Sequence, residues 1–267
     1  AGDELHVSLR GFYSSNVPDH IAVALSGGSD SLALLSLLCA WRADGGPEVS
    51  AVTVNHGLRA EAASEASDMA QLCAEWGVSH ATLGWTRPAT TGNLHDQARR
   101  GRYALMADWA RGQGIFAIAL GHTQEDQAET FLMRLARGAG LDGLSAMRDM
   151  WEEAGVRFTR PLLTCSREAL RDHLRAKGVE WIEDAANADP AYTRSRVRAA
   201  LPELGISTQT LAEVAGQLAQ ARDALQGVTL DAARRIARVE VGDVVIDHQG
   251  FSTLAPNLAR RLLLTAM

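Results

Sequence analysis

The sequence predicts a doubly wound α/β fold, in which a parallel sheet is covered by helices on both faces. Apolar runs at 21–25 and 115–120, with a third strand pattern at 49–55, are typical of strands buried in such a sheet. Each is followed by a segment with helical spacing, and this alternation favours parallel strands. The 267 residues suffice for one large domain over 1–205 and a small, mostly helical domain over 206–267.

The other elements follow from local patterns. Helical spacing and boundary residues predict helices at 61–76, 93–111, 122–137, from Ser166 onward, at 207–226 and at 256–267. A weaker strand is expected at 80–85, a short one at 157–163 and a hairpin over 239–254. Between the helix ended by Gly138 and the short strand, residues 140–153 are expected to form a mobile segment.

Composition restricts the class of protein. Hydrophobic residues make up 46% of the chain, which is enough for a core, but no run of 18 apolar residues predicts a membrane span. The first residues lack the pattern of a signal peptide. The three cysteines are odd in number and form no C-x-x-C motif, which argues against a zinc or iron–sulfur site. We expect a cytoplasmic protein that makes no contact with a membrane.

The charge is unevenly distributed along the chain. Although the net charge is −6, residues 1–86 carry 3 basic and 10 acidic side chains, whereas residues 87–202 carry 17 and 15. Any nucleic-acid surface is therefore expected in the middle of the chain. The candidates are two arginine groups, namely Arg99, Arg100 and Arg102, and Arg194, Arg196 and Arg198.

The most informative stretch is the turn after the first strand. Ser26-Gly27-Gly28-Ser29-Asp30-Ser31 connects that strand to a helix, so backbone N–H groups and the helix dipole favour an oxyanion there. The serine hydroxyls add donors. Asp30 is unexpected beside a phosphate unless a divalent cation lies between them. The alternative is an ordinary capped turn, which needs only one such residue.

A second polar group follows the strand at 115–120. Asp126 and Glu129 are three residues apart on a helix and share a face, with His122 just before them. A structural interpretation is equally available, because Thr123 and Asp126 fit a helix-capping box and Glu129 could be a solvated charge.

The turn resembles the SGGxDS loop of the ATP pyrophosphatases, which differs from the lysine-containing phosphate loop. Five stretches together resemble the tRNA(Ile)-lysidine synthetases, over about residues 20–202 and in the family's order. They are 26–31, Val54 to Arg59, Ala98-Arg99 with Arg102-Tyr103, His122 to Thr130 continuing to Gly138, and Trp181 to Asp184 with Asn187, Tyr192, Arg194, Arg196, Arg198 and Pro202.

The resemblance implies an ATP pyrophosphatase domain over 1–205 that modifies the wobble cytidine of a tRNA(Ile) with a CAU anticodon. ATP would adenylate the oxygen on carbon 2 of the base, and the amine of L-lysine would then displace AMP. The cofactors implied are ATP and Mg²⁺. An unstacked base in a single-stranded loop suits this chemistry.

The resemblance also implies roles for single residues. Asp30 and Asp126 would bind the metal, Glu129 would bind the lysine amine, and His122 and Arg99 would complete the catalytic group. The ATP contacts would come from Ser26, Gly27, Gly28, Ser29, Asp30, Ser31, Asn55, His56 and Arg196.

Two departures from the family's pattern matter. The family commonly has a glutamate where this chain has His95, beside Asp96, and its members usually continue further, so this chain is expected to be a fragment or a short form. The alternatives are a tRNA thiolase of the same superfamily and a non-catalytic ATP sensor. The oligomeric state stays open, with a dimer as one alternative.

Overall fold

A computed structural model describes residues 2–55, 62–85, 94–183 and 193–266. Its centre is a six-stranded sheet, whose strands are β1 (His20–Ala24), β2 (Glu48–Asn55), β3 (Ser79–Gly84), β4 (Ala117–Leu120), β5 (Met150–Glu153) and β6 (Val156–Thr159). Their order is β3-β2-β1-β4-β6-β5. All neighbours pair in parallel except β5 and β6, which are antiparallel. The predicted fold class is confirmed.

The helices surround this sheet. They are α1 (Gly2–Phe12), α2 (Ser29–Ala43), α3 (Ala62–Glu75), α4 (Leu94–Gly112), α5 (Gln124–Leu135), α6 (Leu141–Leu144), α7 (Arg167–Ala176), α8 (Thr193–Ala200), α9 (Thr208–Ile236), α10 (His248–Ser252) and α11 (Pro256–Ala266). A two-stranded sheet of β7 (Ala237–Glu240) and β8 (Asp243–Ile246) follows α9. Helix α1 has no counterpart among the predicted elements.

The core has one layer on each face of the sheet. Ile21 and Val23 of β1 pack with helices α1, α2, α3 and α7, whereas Ala22 packs with α4 through Met106. This alternation follows from the two-residue period of a strand. It places the carboxyl ends of β1, β2, β4 and β6 at one edge of the sheet, where ligands bind in open α/β folds.

The structure qualifies two sequence-based expectations: the segment 140–153 contains regular elements, and the predicted hairpin is present as β7 and β8 but is shorter than expected. The segment expected to be mobile contains α6 and β5, and β5 turns back onto β6 through Ala154 and Gly155, both with positive φ. The expected hairpin over 239–254 ends at Ile246, because Asp247 caps a short helix by accepting a hydrogen bond from Gly250 N at 2.6 Å. Both corrections concern local hydrogen bonds that apolar periodicity does not report.

The long helix α9 packs against α5. Leu211 and Ala215 of α9 are buried with Ala128 and Phe131 of α5. The predicted boundary between residues 205 and 206 therefore lies where a second layer of helices begins, and it stays a prediction. Within the described residues, no helix combines the length and apolar character needed to cross a bilayer.

Candidate active site

The serine-rich turn after β1 is organised by its own hydroxyl groups. Ser31 Oγ accepts a hydrogen bond from Ser26 N at 3.2 Å and donates one to Gly28 O at 3.1 Å. Ser29 Oγ donates to Asp30 Oδ1 at 3.0 Å. Helix α2 begins inside this turn with Gly28 as its extended N-cap residue. The first N–H groups of α2 therefore lie at the edge of the sheet where an oxyanion would be stabilised.

Two glycines allow this close packing. Gly27 has φ +83°, a left-handed conformation that favours glycine, and its carbonyl accepts a hydrogen bond from Ile182 N at 2.9 Å. Gly121, directly after β4, lies against the first turn of α2, and a Cβ atom there would be 2.7 Å from Ser31 N. The segment leading to His122 and the serine-rich turn are thus in direct backbone contact.

An arginine joins the two carboxylates that the sequence predicts as metal ligands. Arg167 Nε donates to Asp30 Oδ2 at 2.9 Å, and Nη2 approaches Asp126 Oδ2 at 3.3 Å. Asp126 also accepts hydrogen bonds from Thr123 N at 3.0 Å and Thr123 Oγ1 at 3.1 Å. The capping interpretation is therefore correct for Asp126, and Arg167 also links its carboxylate to Asp30.

The ionisation of these two acids is set by opposing effects. Burial favours the neutral form of both. For Asp126, the neighbouring His122, Arg167 and the Thr123 N–H together outweigh burial and hold the pKa below its usual value. For Asp30, burial dominates and raises the pKa, although Arg167 opposes it. Two acids share one arginine, so the cluster carries a formal charge of −1 when both are ionised.

The carboxylates can accommodate a divalent cation. Oxygen atoms from Asp30 and Asp126 converge on a single guanidinium, so both face one cationic position. Magnesium is commonly held by one or two carboxylates plus substrate phosphates. Among the described residues, no group of three or more His, Cys, Asp and Glu side chains forms a metal cage of its own. This donor set fits an ion carried by a nucleotide.

His122 follows the end of β4, and a hydrogen bond from Arg160 orients its ring. Its Nδ1 accepts a hydrogen bond from Arg160 Nε at 3.2 Å, which fixes Nδ1 as the unprotonated nitrogen. Burial, together with the charge of Arg160, lowers the pKa of His122 well below its usual value. The imidazole is therefore neutral at physiological pH, with its proton on Nε2.

Glu129 is fully buried between α5 and α8. Its side chain has no exposed surface, and it lies 2.7 Å from Arg198 Nε through Oε1 and 3.3 Å from Arg194 Nε through Oε2. Burial raises the pKa of Glu129 against the opposing effect of the two arginines. The Oε2 atom accepts no hydrogen bond from the described residues. The alternative of a solvated surface charge is wrong for this residue.

The other predicted residues are more dispersed. Asn55 ends β2 at the same edge of the sheet, half-buried. Arg196 projects from α8 with its side chain exposed, where it donates to Thr193 Oγ1 at 3.3 Å. Arg99 belongs to α4, but its side chain is outside the described part of the structure, as is all of His56.

Arg167 and Arg160 are the site residues that sequence reasoning missed. One signal for Arg167 was available, because it is the first residue of α7, where the helix dipole disfavours a positive charge. An arginine that contradicts this local preference indicates a partner elsewhere in the fold. Arg160 gave no such signal, since it follows a short strand among other arginines.

Comparison with known proteins agrees with this geometry. Residues 3–204 match the family described as the PP-loop domain. A tRNA(Ile)-lysidine synthase from Ruegeria pomeroyi is 49% identical over 259 residues, covering 96% of this chain and 62% of the relative. Another, from Zymomonas mobilis, is 40% identical over 266 residues, covering 97% of this chain and 78% of the relative. The chain thus spans under two thirds of the length of the Ruegeria protein.

Among solved structures, one similar chain is the U34-tRNA thiolase NcsA from Methanococcus maripaludis, described with its 4Fe–4S cluster. It superposes with a TM-score of 0.67 at 18% identity, covering 81% of this chain and 78% of that chain. At that identity the likeness concerns the fold alone.

Proposed function

The chain belongs to the tRNA(Ile)-lysidine synthase family of PP-loop proteins, and from this premise we propose that it ligates L-lysine to the wobble cytidine of a tRNA(Ile) with a CAU anticodon. The bond formed joins the lysine amine to carbon 2 of the base. The observation that carries the proposal is the bridge that Arg167 makes between Asp30 and Asp126 of helix α5, because both carboxylates face one cationic position.

The first proposed step is adenylation of the oxygen on carbon 2, with release of pyrophosphate. The N–H groups at the start of α2 and the hydroxyls of Ser26, Ser29 and Ser31 are suited to hold the phosphates of ATP. Asp30 and Asp126 would hold Mg²⁺, which supplies neutralisation of charge on the phosphates. Arg167 keeps the two carboxylates close together and partly neutralised.

The second proposed step is attack of the lysine amine on carbon 2, with AMP as the leaving group. The amine must lose a proton before it attacks, and a carboxylate beside it both attracts the ammonium and assists the transfer. Glu129 is the proposed partner, supported by its burial and by an oxygen that accepts no hydrogen bond from the described residues. Neutral His122, whose Nδ1 is held by Arg160, would offer its Nε2–H as a donor to the reacting base.

The alternatives are less well supported. The thiols of Cys39, Cys73 and Cys165 are all free, and burial raises the pKa of each, which disfavours the thiolate that sulfur transfer needs. A sensor that only binds ATP requires no buried acid at Glu129. These observations favour the ligase over both.

The test is nucleoside analysis of the tRNA. The protein is incubated with ATP, labelled lysine and a tRNA(Ile) transcript with a CAU anticodon, and the digested RNA is analysed by mass spectrometry. The proposal expects a lysine-modified cytidine and pyrophosphate release that depends on the tRNA. RNA without the lysine label would overturn the proposal, whereas incorporation of sulfur when sulfide replaces lysine in the incubation would identify the thiolase.

A further inference from the structure

A cavity lies beside the candidate active site. It has a volume of about 430 Å³, which is within the usual range for a small-molecule or single-nucleotide site. One of its walls is Arg160, which follows β6 at the same sheet edge as the phosphate-binding turn and donates to His122. The cavity therefore adjoins the site on the side away from β2.

The lining of this cavity is strongly basic. Four arginines contribute to it, from α5, from the segment before β5, from the end of β6 and from α9, namely Arg134, Arg148, Arg160 and Arg222. Its two acids are Asp142 and Glu153, and Asp142 is paired with Arg261 at 2.7 Å. The formal excess is two positive charges in a chain whose net charge is −6.

Most of these arginines are held in place by the surrounding backbone and aromatic rings. Arg134 Nη1 donates to Gly143 O at 2.9 Å and Ala146 O at 2.6 Å, and Arg222 Nη1 donates to Ser145 Oγ at 2.9 Å. Arg160 is 3% exposed and lies 4.2 Å above the ring of Trp151. Fixed guanidinium groups lose little side-chain entropy when a ligand binds.

Arg148 differs from the other three. Its side chain is exposed, and it makes no ion pair within the described parts of the chain. Its charge therefore adds to the potential of the cavity without being neutralised by a carboxylate of the described residues. Because Arg148 contributes no buried contact, it can be replaced with little effect on folding.

The chemistry of the lining selects among the proposed substrates. The side-chain ammonium of lysine would be repelled by the excess of arginines, which disfavours lysine in this cavity, and the phosphates of ATP have their own proposed binding turn after β1. A nucleotide of RNA combines an anionic phosphate with a flat base, and arginines with aromatic rings bind both parts. Building on the proposed function, we propose that this cavity binds a phosphate and base of the anticodon loop next to the wobble cytidine.

The test measures the affinity of the full chain for a CAU anticodon stem-loop RNA at several salt concentrations. The variants are Arg148→Ala and Arg222→Gln. Each is expected to weaken binding about tenfold and to lower the salt slope by about one unit, since one phosphate contact is lost. The matched control is Arg111→Ala, which removes an exposed arginine at the end of α4, at the opposite edge of the sheet.

The proposal is overturned if both cavity variants bind with the affinity and slope of Arg111→Ala, or if the wild-type chain does not bind the stem-loop. Nucleoside analysis on the same preparations separates this from the proposed function. Reduced salt slopes in the cavity variants, without lysine-modified product, would support RNA binding at the cavity and contradict the ligase function. Product formation with unchanged salt slopes would contradict only RNA binding at the cavity.

Discussion

Helix α5 contributes one carboxylate to each of two clusters of carboxylates and arginines, and the net formal charges of the two clusters have opposite signs. Near the start of α5, Asp126 and Asp30 share one arginine, Arg167. One turn later, Glu129 alone faces two arginines, Arg194 and Arg198. The first cluster is short of positive charge by one, whereas the second has one positive charge in excess.

The sequence pattern presents Asp126 and Glu129 as one functional pair, but the difference in charge balance assigns them to two different proposed functions. A cluster short of positive charge attracts a divalent cation, as proposed for Asp30 and Asp126. A carboxylate already paired with two arginines attracts an ammonium only if one arginine moves away. If Glu129 binds lysine as proposed, Arg194 or Arg198 must therefore leave it during the reaction, and each is part-exposed and able to reach water.

The largest expected effect is from Asp30→Asn, which removes a proposed metal ligand from the first cluster. Pyrophosphate release should fall about 10²- to 10³-fold, the usual cost of one preorganised charge contact. The measurement is tRNA-dependent pyrophosphate release. Asp44→Asn is the control, because Asp44 caps the other end of α2 and pairs on the surface with Arg10. Pyrophosphate release close to the wild-type rate would contradict the proposal that Asp30 is a metal ligand.

Glu129→Gln tests the second cluster and should have the next largest effect. The KM for lysine is expected to rise about 10- to 100-fold, the usual range for a lost charge-assisted contact, while the KM for ATP stays within about twofold. The fold should persist, since both arginines can turn to solvent. Steady-state kinetics with each substrate varied in turn gives the two constants. An equal rise in both would contradict a role in lysine binding.

Arg167→Met removes the cation that the first cluster already has. With two carboxylates left facing each other, Mg²⁺ should bind the protein more tightly without nucleotide. Added Mg²⁺ should therefore raise the melting temperature of the variant by a few degrees more than it raises that of the wild type. Thermal unfolding with and without Mg²⁺ is the measurement. Arg171→Met, one turn along α7 and paired with Glu183, is the matched control. An equal Mg²⁺ effect in all three proteins would show that Arg167 does not compete with the ion.

The smallest effect concerns pH, where the clusters should differ in sign. The pKa of Asp126 is lowered by folding, so its stabilisation is present above its unfolded pKa of about 4 and is lost as pH falls through the folded value. The pKa of Glu129 is raised, so stability falls as pH rises from about 4 through its folded value. Relative to wild type, Asp126→Asn should therefore lose stability as pH rises, whereas Glu129→Gln should gain it. Urea unfolding from about pH 2.5 to 7 covers both titration ranges and measures both slopes, and slopes of one sign would contradict the assignment.

Features that depend on residues close together in the sequence were predicted more accurately than features that depend on residues far apart. Strands β1, β2, β3, β4 and β6, the serine-rich turn and the helix with Asp126 and Glu129 depend on neighbouring residues, and these were predicted. The contact between Arg167 and Asp30 joins residues 137 positions apart, and no periodicity reports it. Strand β5 was missed because it has only four residues and depends on Trp151 stacking against Phe158 at 5.1 Å.

The close approach of Gly121 to α2 has a consequence for mutational tolerance. The atoms that a side chain would meet are Ser31 N, the Asp30 carbonyl carbon and Ser31 Cα, at 2.7 to 2.8 Å, and none can rotate away as a side chain would. Even alanine would separate the end of β4 from the phosphate-binding turn. In a library with all twenty residues at this position, selection for activity should recover glycine alone, whereas Gly114, with open space around it, is restricted only by its backbone angle.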